Sequence, residues 1–263
     1  MDLTDRFEAL VRGPEDSLED HLDEAALLIA AHANPSLDVD AYLRSLDELA
    51  DACAADNVAA LSHQLFVVGG FRGNDGDFAD PRNSYLDAVL DRRLGIPITL
   101  SVVVLEVGRR LGVSLAGVSM PGHFLVRLRG APPVFIDAFD GGRMLSETEC
   151  EAWFRATHGP GAPWDPRYLD PVGPTTILAR MLANLRSIHI QRQESVALEW
   201  VLRLRSLLPG ATVEERAERA GVLAALTRFE QAATLLENLA DEVADERAAP
   251  LRSRAKRLRA KLN

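Results

Sequence analysis

Four residues in the middle of the chain combine types that perform acyl chemistry. Thr99 and Ser101 place hydroxyls at the head of the apolar stretch ITLSVVVLEV, His123 follows Pro121-Gly122, and Asp137 lies in VFIDAF. Hydroxyl at a helix start, then histidine, then acid is the order of nucleophile, base and orienter. A hydroxyl ionises far less readily than a thiol. It would need the His123 ring within about 2.6–3.2 Å as general base, with Asp137 orienting that ring. The backbone N–H groups of Thr99 and Leu100 would be the oxyanion donors. Each residue also has a plainer use: Thr99 or Ser101 as a helix cap, His123 as a hydrogen-bonded residue at a strand start, Asp137 as a partner for turn backbone.

The elements that must position them can be read from periodicity. Pro97 suits the first turn of a helix, Thr99 or Ser101 sits at or near its cap, and Gly112 ends it. The run Val102, Val103, Leu105, Val107 and Leu111 makes that helix almost wholly buried, with a polar mouth turned to a site. SLAGVSM, HFLVRLR and VFIDAF read as strands. In HFLVRLR, His123, Leu125 and Arg127 share one face; in VFIDAF, Asp137 shares a face with Phe135 and Phe139. A hairpin about Gly130–Pro132 sets Asp137 opposite or diagonal to His123. Asp140-Gly141-Gly142 turns the chain into RML. Ser146 and Glu149 form a capping box for ETECEAWFRA, with Cys150 in its first turn.

The rest of the chain frames this block. Residues 1 to about 70 read as helices broken at Asn34-Pro35 and at Gly69-Gly70, with Cys53 and His63 inside them as ordinary core or surface residues. The loop Gly70–Asn83 carries Asp75, Asp77 and Asp80. It lacks the glutamate that closes a calcium loop, so turn chemistry is expected there. His158–Pro174 holds five prolines and three glycines and reads as a linker or surface arm pinned by Trp164 and Tyr168. From Thr175 the pattern is helical. Ala197 and Ala232 lie 35 positions apart, close to the tetratricopeptide period of about 34. The last helix, from about Arg247, carries a stripe of Leu251, Ala255, Leu258 and Leu262 that suits a capping helix.

The 263 residues carry a net charge of -10, with 47% hydrophobic and 26% charged residues. That balance suits an ordinary soluble protein and opposes nucleic acid or an anionic membrane as partner. No stretch approaches the roughly 20 apolar residues of a membrane helix. The acidic start MDLTDRFEAL lacks the core of a signal peptide. Cys53 and Cys150 read as free thiols of a reducing cytoplasm, and six scattered histidines suggest no metal cluster.

NSYLDAVLDRRLGIPITLS, GVSMPGHFLVRL, FIDAFDGGRML and the helical C-terminus together resemble the bacterial SirB family of transglutaminase-like proteins. The likeness implies a papain-like α+β domain, its buried helix against an antiparallel sheet, followed by an all-α tetratricopeptide-like domain. The expected parts are 1–94, the N-terminal helices; 95–170, the transglutaminase-like core; and 171–263, the helical repeats. In the superfamily a cysteine opens the buried helix and a histidine and aspartate lie on following strands. That order matches Thr99, His123 and Asp137, with threonine in place of the cysteine and Ser101 the only other hydroxyl nearby. The missing cysteine argues against a transglutaminase or cysteine protease. The leading expectation is a cytoplasmic binding protein that takes a peptide or protein ligand at the Thr99/His123 cleft. It would offer a partner surface on its C-terminal helices and need no cofactor or metal. The rivals are a hydrolase or acyltransferase using Thr99 or Ser101 with His123 and Asp137, and a purely structural use of the polar residues.

Overall fold

A computed structural model describes residues 2–130 and 132–262, so Ala131, in the expected hairpin connection, lies outside the described residues. The chain divides into two compact units: residues 13–181, and the residues up to 12 together with those from 182 onward. Both borders differ from the sequence reading. Leu3–Val11 (α1) groups with the C-terminal helices, and the second border falls inside a helix at 181/182, beyond residue 171.

Within residues 13–181, α2 (Glu15–Glu19) leads into α3 (Leu22–Ala33), whose LDEAALLIAAHA is buried on nearly every side and stops at Asn34. Asp38 caps α4 (Val39–Asp51) by accepting the Ala41 N–H at 3.0 Å. Asn57 caps α5 (Val58–Ser62). The expected regular helix then widens over His63–Val68 into π-type turns, which set Phe66 against Gly142. Strand β1 (Arg72–Gly73) pairs in parallel with β2 (Leu94–Gly95), with α6 (Leu86–Arg92) between them in sequence. The buried helix follows as α7 (Pro97–Arg110).

Strands β3 (Leu115–Val118), β4 (Leu125–Leu128), β5 (Val134–Asp137), β6 (Arg143–Leu145) and β7 (Pro171–Val172) form one antiparallel sheet in the order β6-β5-β4-β3-β7. Helix α8 (Glu147–His158) starts at the Ser146/Glu149 capping box and covers the face bearing Leu125 and Phe135 with Cys150 and Phe154. Alternation turns Phe124, Val126 and Ile136 to the opposite face, and α7 packs on β3 and β4. The proline-rich arm is more than a linker. Trp164 and Tyr168 pack at tilted angles around Phe154, and Pro171–Val172 adds a strand beside β3. Pro174, which lacks an N–H, then ends that strand and opens α9 (Pro174–Gln191).

In the other unit, α10 (Ser195–Leu207), α11 (Val213–Ala225), α12 (Phe229–Asp241) and α13 (Asp245–Arg259) each pack on the next. Ala220, Leu223, Ala232, Leu236, Ala255 and Leu258 are the core between them. The charges of α13 lie outside that core: Arg259 pairs with Glu230 and Glu237. No helix among the described residues is long and apolar enough to cross a membrane.

The far end of α7 is pinned by buried charge. Glu106 Oε2 accepts from Arg109 and Arg110 at 3.0 and 3.1 Å, while Arg110 also reaches Asp23 of α3 at 2.6 Å and Asp47 of α4 at 2.7 Å. Burial, reinforced by the neighbouring Asp23, pushes the Glu106 carboxyl up to about 8, and the two arginines only partly oppose that. The folded protein therefore holds a proton on Glu106 that the unfolded chain, with an ordinary glutamate, releases. Stability from this group is present below the unfolded value and is lost as pH rises toward 8. Glu106→Gln, which cannot ionise, is expected to flatten the fall in melting temperature between pH 6 and pH 9. Thermal melts of both proteins across that range check it.

Candidate functional site

The polar mouth of α7 is built from the loop before it. Asp80 caps the short turn Pro81–Asn83 and holds Arg82 and Arg92. The Asn83 side chain receives the Asn74 amide at 3.0 Å and donates to the Asp77 carbonyl at 2.7 Å. These bonds fix the Asn83 carbonyl, and Thr99 Oγ1 donates to it at 2.6 Å while accepting the Ile96 N–H at 3.2 Å. The acidic loop thus performs turn chemistry, and the Thr99 hydroxyl is saturated as a cap. Leu100 N–H, expected as an oxyanion donor, closes on the Ile96 carbonyl at 3.1 Å.

Ser101 is fully buried, and its Oγ has no hydrogen-bond partner among the described residues. Neither hydroxyl bonds to His123, and neither lines the cleft on which His123 opens. The placement of Thr99 and Ser101 as nucleophiles is therefore corrected. The helix opens two residues earlier than Thr99, and its first residue, Pro97, lines the cleft. The inward turn of Thr99 follows from the buried helix end, which must satisfy its own backbone.

His123 and Asp137 do meet. The β4–β5 register sets Val126 opposite Ile136, which puts Asp137 opposite Leu125 and diagonal to His123. His123 Nε2 and Asp137 Oδ2 are 2.7 Å apart, and both residues are 4% exposed. The other carboxyl oxygen, Oδ1, accepts the N–H groups of Phe139 and Asp140 at 3.0 and 3.2 Å. The carboxylate is thus held by backbone on one side and faces the ring with the other. Because a carboxylate only accepts, Nε2 carries the proton, and in the neutral ring Nδ1 is a bare acceptor. No partner bonds Nδ1 among the described residues. The ring itself stacks on Trp153 of α8, centroids 4.4 Å apart and planes 19° apart, with Phe139 edge-on at 6.5 Å.

These groups wall a cleft of about 380 Å³. Its remaining lining includes Asp75 and Phe78 from the loop, Asp140 and Arg143 from the turn after β5, and Pro97. Trp153 and Phe78 carry no signal in the sequence, and Asp75 and Pro97 read there only as a turn residue and a helix start. Pro97 was legible as a first-turn proline; the others are contributed by segments whose meeting depends on tertiary packing. Gly73 permits part of that meeting, since a Cβ there would lie 2.6 Å from the Phe139 ring. Among the described residues no group of three or more His, Cys, Asp or Glu is placed to hold a metal ion.

A sequence profile of the transglutaminase-like superfamily matches residues 17–183, more than half of the chain. A UPF0162 protein of Xylella fastidiosa is 40% identical over 181 residues, covering 64% of each chain, so the match spans just under two thirds of that relative. A UPF0162 protein of Pseudomonas aeruginosa is 35% identical over 210 residues, 76% of this chain and 77% of that one. Human F-box only protein 21 is 36% identical over 138 residues, 49% of this chain but 21% of its own length. No solved structure matches the chain significantly.

The two hydroxyls differ in what their removal does. Thr99→Val leaves the Asn83 carbonyl and the Ile96 N–H buried and unpaired, and is expected to cost about 1–3 kcal/mol, while Thr99→Ser restores most of it. Ser101→Ala removes an orphan and is expected to be neutral or stabilising. Urea denaturation of the three variants checks both.

Proposed function

The chain belongs to the transglutaminase-like superfamily, and from that premise we propose that it is a non-catalytic peptide- or protein-binding member. One observation carries this reading: the residue that opens the buried helix and faces the His123 cleft is Pro97, which offers no nucleophile and no N–H. The resemblance implies a cysteine opening that helix. Here the base and its orienter are present and the reacting atom is not, so the pocket holds its ligand by non-covalent contacts. His123 Nδ1 accepts a hydrogen bond, Asp137 keeps the ring in the tautomer that can do so, and Trp153 and Phe139 supply apolar walls. The unpaired thiols of Cys53 and Cys150 suit the reducing cytoplasm. On the helical unit, the exposed side chains of Ile190 and Val196 support a separate protein-contact surface.

Two labelling experiments test the reading. A hydroxyl-directed acylating probe is expected to leave the wild-type protein unlabelled; labelling at Thr99 or Ser101 that disappears in His123→Ala would establish a hydrolase or acyltransferase instead. Pro97→Cys places a thiol at a helix N-terminus that lines the same cleft as His123, where thiolate is favoured. Burial, with nearby Asp137, pushes the Cys150 thiol up to about 12, and burial with Asp56 raises that of Cys53. Iodoacetamide at pH 7 is therefore expected to modify the introduced cysteine at least tenfold faster than either native one. A rate no higher than theirs would show that Pro97 does not stand at the reactive position.

A further inference from the structure

Resting on the binding reading above, the cleft's own inventory goes further and specifies the charge of what it binds. Its available side chains offer acceptors almost exclusively: the exposed carboxylates of Asp75 and Asp140 and, in the neutral ring, the bare Nδ1 of His123, the Asp137 carboxylate being already taken by His123 and two backbone N–H groups. The Asp75 carboxylate has no partner among the described residues. His123, although 4% exposed, lines the cleft with an unpartnered nitrogen. The one cationic side chain, Arg143, is already shared between Asp140 at 3.7 Å and Glu149 at 3.4 Å. Aromatic faces stand beside these acceptors. Phe78 is 56% exposed and meets Phe139 edge-on at 6.1 Å, and the Trp153 indole flanks His123. An exposed phenylalanine beside the unpaired Asp75 carboxylate and the loosely paired Asp140 has no role in the core; it is the arrangement that receives an alkyl cation, whose methylenes lie on the rings and whose N–H groups reach the acceptors.

We propose that this cleft takes the cationic side chain of a peptide, a lysine ammonium or an arginine guanidinium, between the Asp75/Asp140 rim and the Phe78, Phe139 and Trp153 rings. The ligand's N–H groups fill His123 Nδ1 and the rim carboxylates. An anionic side chain is repelled by the same groups, and a neutral apolar one leaves them unpaired. The overall charge of -10 adds a field that attracts such a ligand before contact.

The test uses the full chain and four capped heptapeptides that differ only in a central Lys, Arg, Leu or Glu on an alanine–glycine background. Binding is read from the His123 ring signals by NMR, assigned with His123→Gln. The Lys or Arg peptide is expected to bind at least tenfold more tightly than the Leu and Glu peptides, and comparison of the two basic peptides separates ammonium from guanidinium. The double variant Asp75→Asn, Asp140→Asn is expected to erase the preference; both side chains are exposed, so the fold survives. If the Leu or Glu peptide binds as tightly as the basic ones, or the preference persists in the double variant, the cation is not what the cleft reads, although ligand binding stands. If no peptide moves the His123 signals up to 20 mM, the binding reading falls and this inference falls with it.

Discussion

A helix buried along nearly its whole length must satisfy the N–H groups of its first turn without water. Eleven of the fourteen residues of α7 are buried, and the turn before it answers that constraint. The Thr99 hydroxyl bridges the Ile96 N–H and the Asn83 carbonyl, and the Asn83 side chain is itself gripped by Asn74 and the Asp77 carbonyl. The hydroxyl nearest the cleft in sequence is thereby committed to the fold. This single commitment fixes where α7 begins, puts Pro97 at the cleft, and ties the loop that carries Asp75 and Phe78 to the helix mouth.

The opposite end of α7 solves a different problem. There the orphan groups are carbonyls, and Arg110 donates to the Glu106 carbonyl as well as to the side-chain oxygens of Glu106, Asp23 and Asp47. Two arginines and two buried acids bind α7 to α3, with Asp47 reaching in from α4. Removing Arg110 takes from the buried Asp23 carboxylate its 2.6 Å partner in a dry place, a costly loss. The helix is therefore held at both ends by directional polar contacts and along its length by apolar packing. That rigidity keeps Pro97 in place at the cleft.

The His123–Asp137 pair is held with the same redundancy. Asp137 is clamped by two backbone N–H groups of its own turn, and His123 is clamped by Asp137 on its edge and by Trp153 on its face. An imidazole so fixed, with one nitrogen left open toward a cleft, is preorganised for a partner, and little conformational freedom remains to be lost on binding. Preorganisation of this kind is required for catalysis, but it serves recognition equally well.

The sequence by itself determined the elements and the order in which they meet. Apolar spacing marked α7, Asn34-Pro35 ended α3, and the Ser146/Glu149 box set the start of α8. Period-two alternation was enough to put His123 and Asp137 on one face, because in a hairpin the register follows from parity. Whether a hydroxyl points into a cleft or into a backbone cap has no signature in local sequence, since Thr99 suits both uses equally. That choice was made by Asn83, sixteen residues earlier, which only folding brings within 2.6 Å. The widening of the helix after Ser62, the grouping of α1 with the C-terminal helices and the strand formed by Pro171–Val172 were decided in the same way, by partners distant in sequence. So was the cleft's acceptor-rich wall, whose members come from the loop before α6, the mouth of α7, the turn after β5, and α8. Local pattern fixes which face a side chain takes, while the neighbour it finds there is settled by long-range packing.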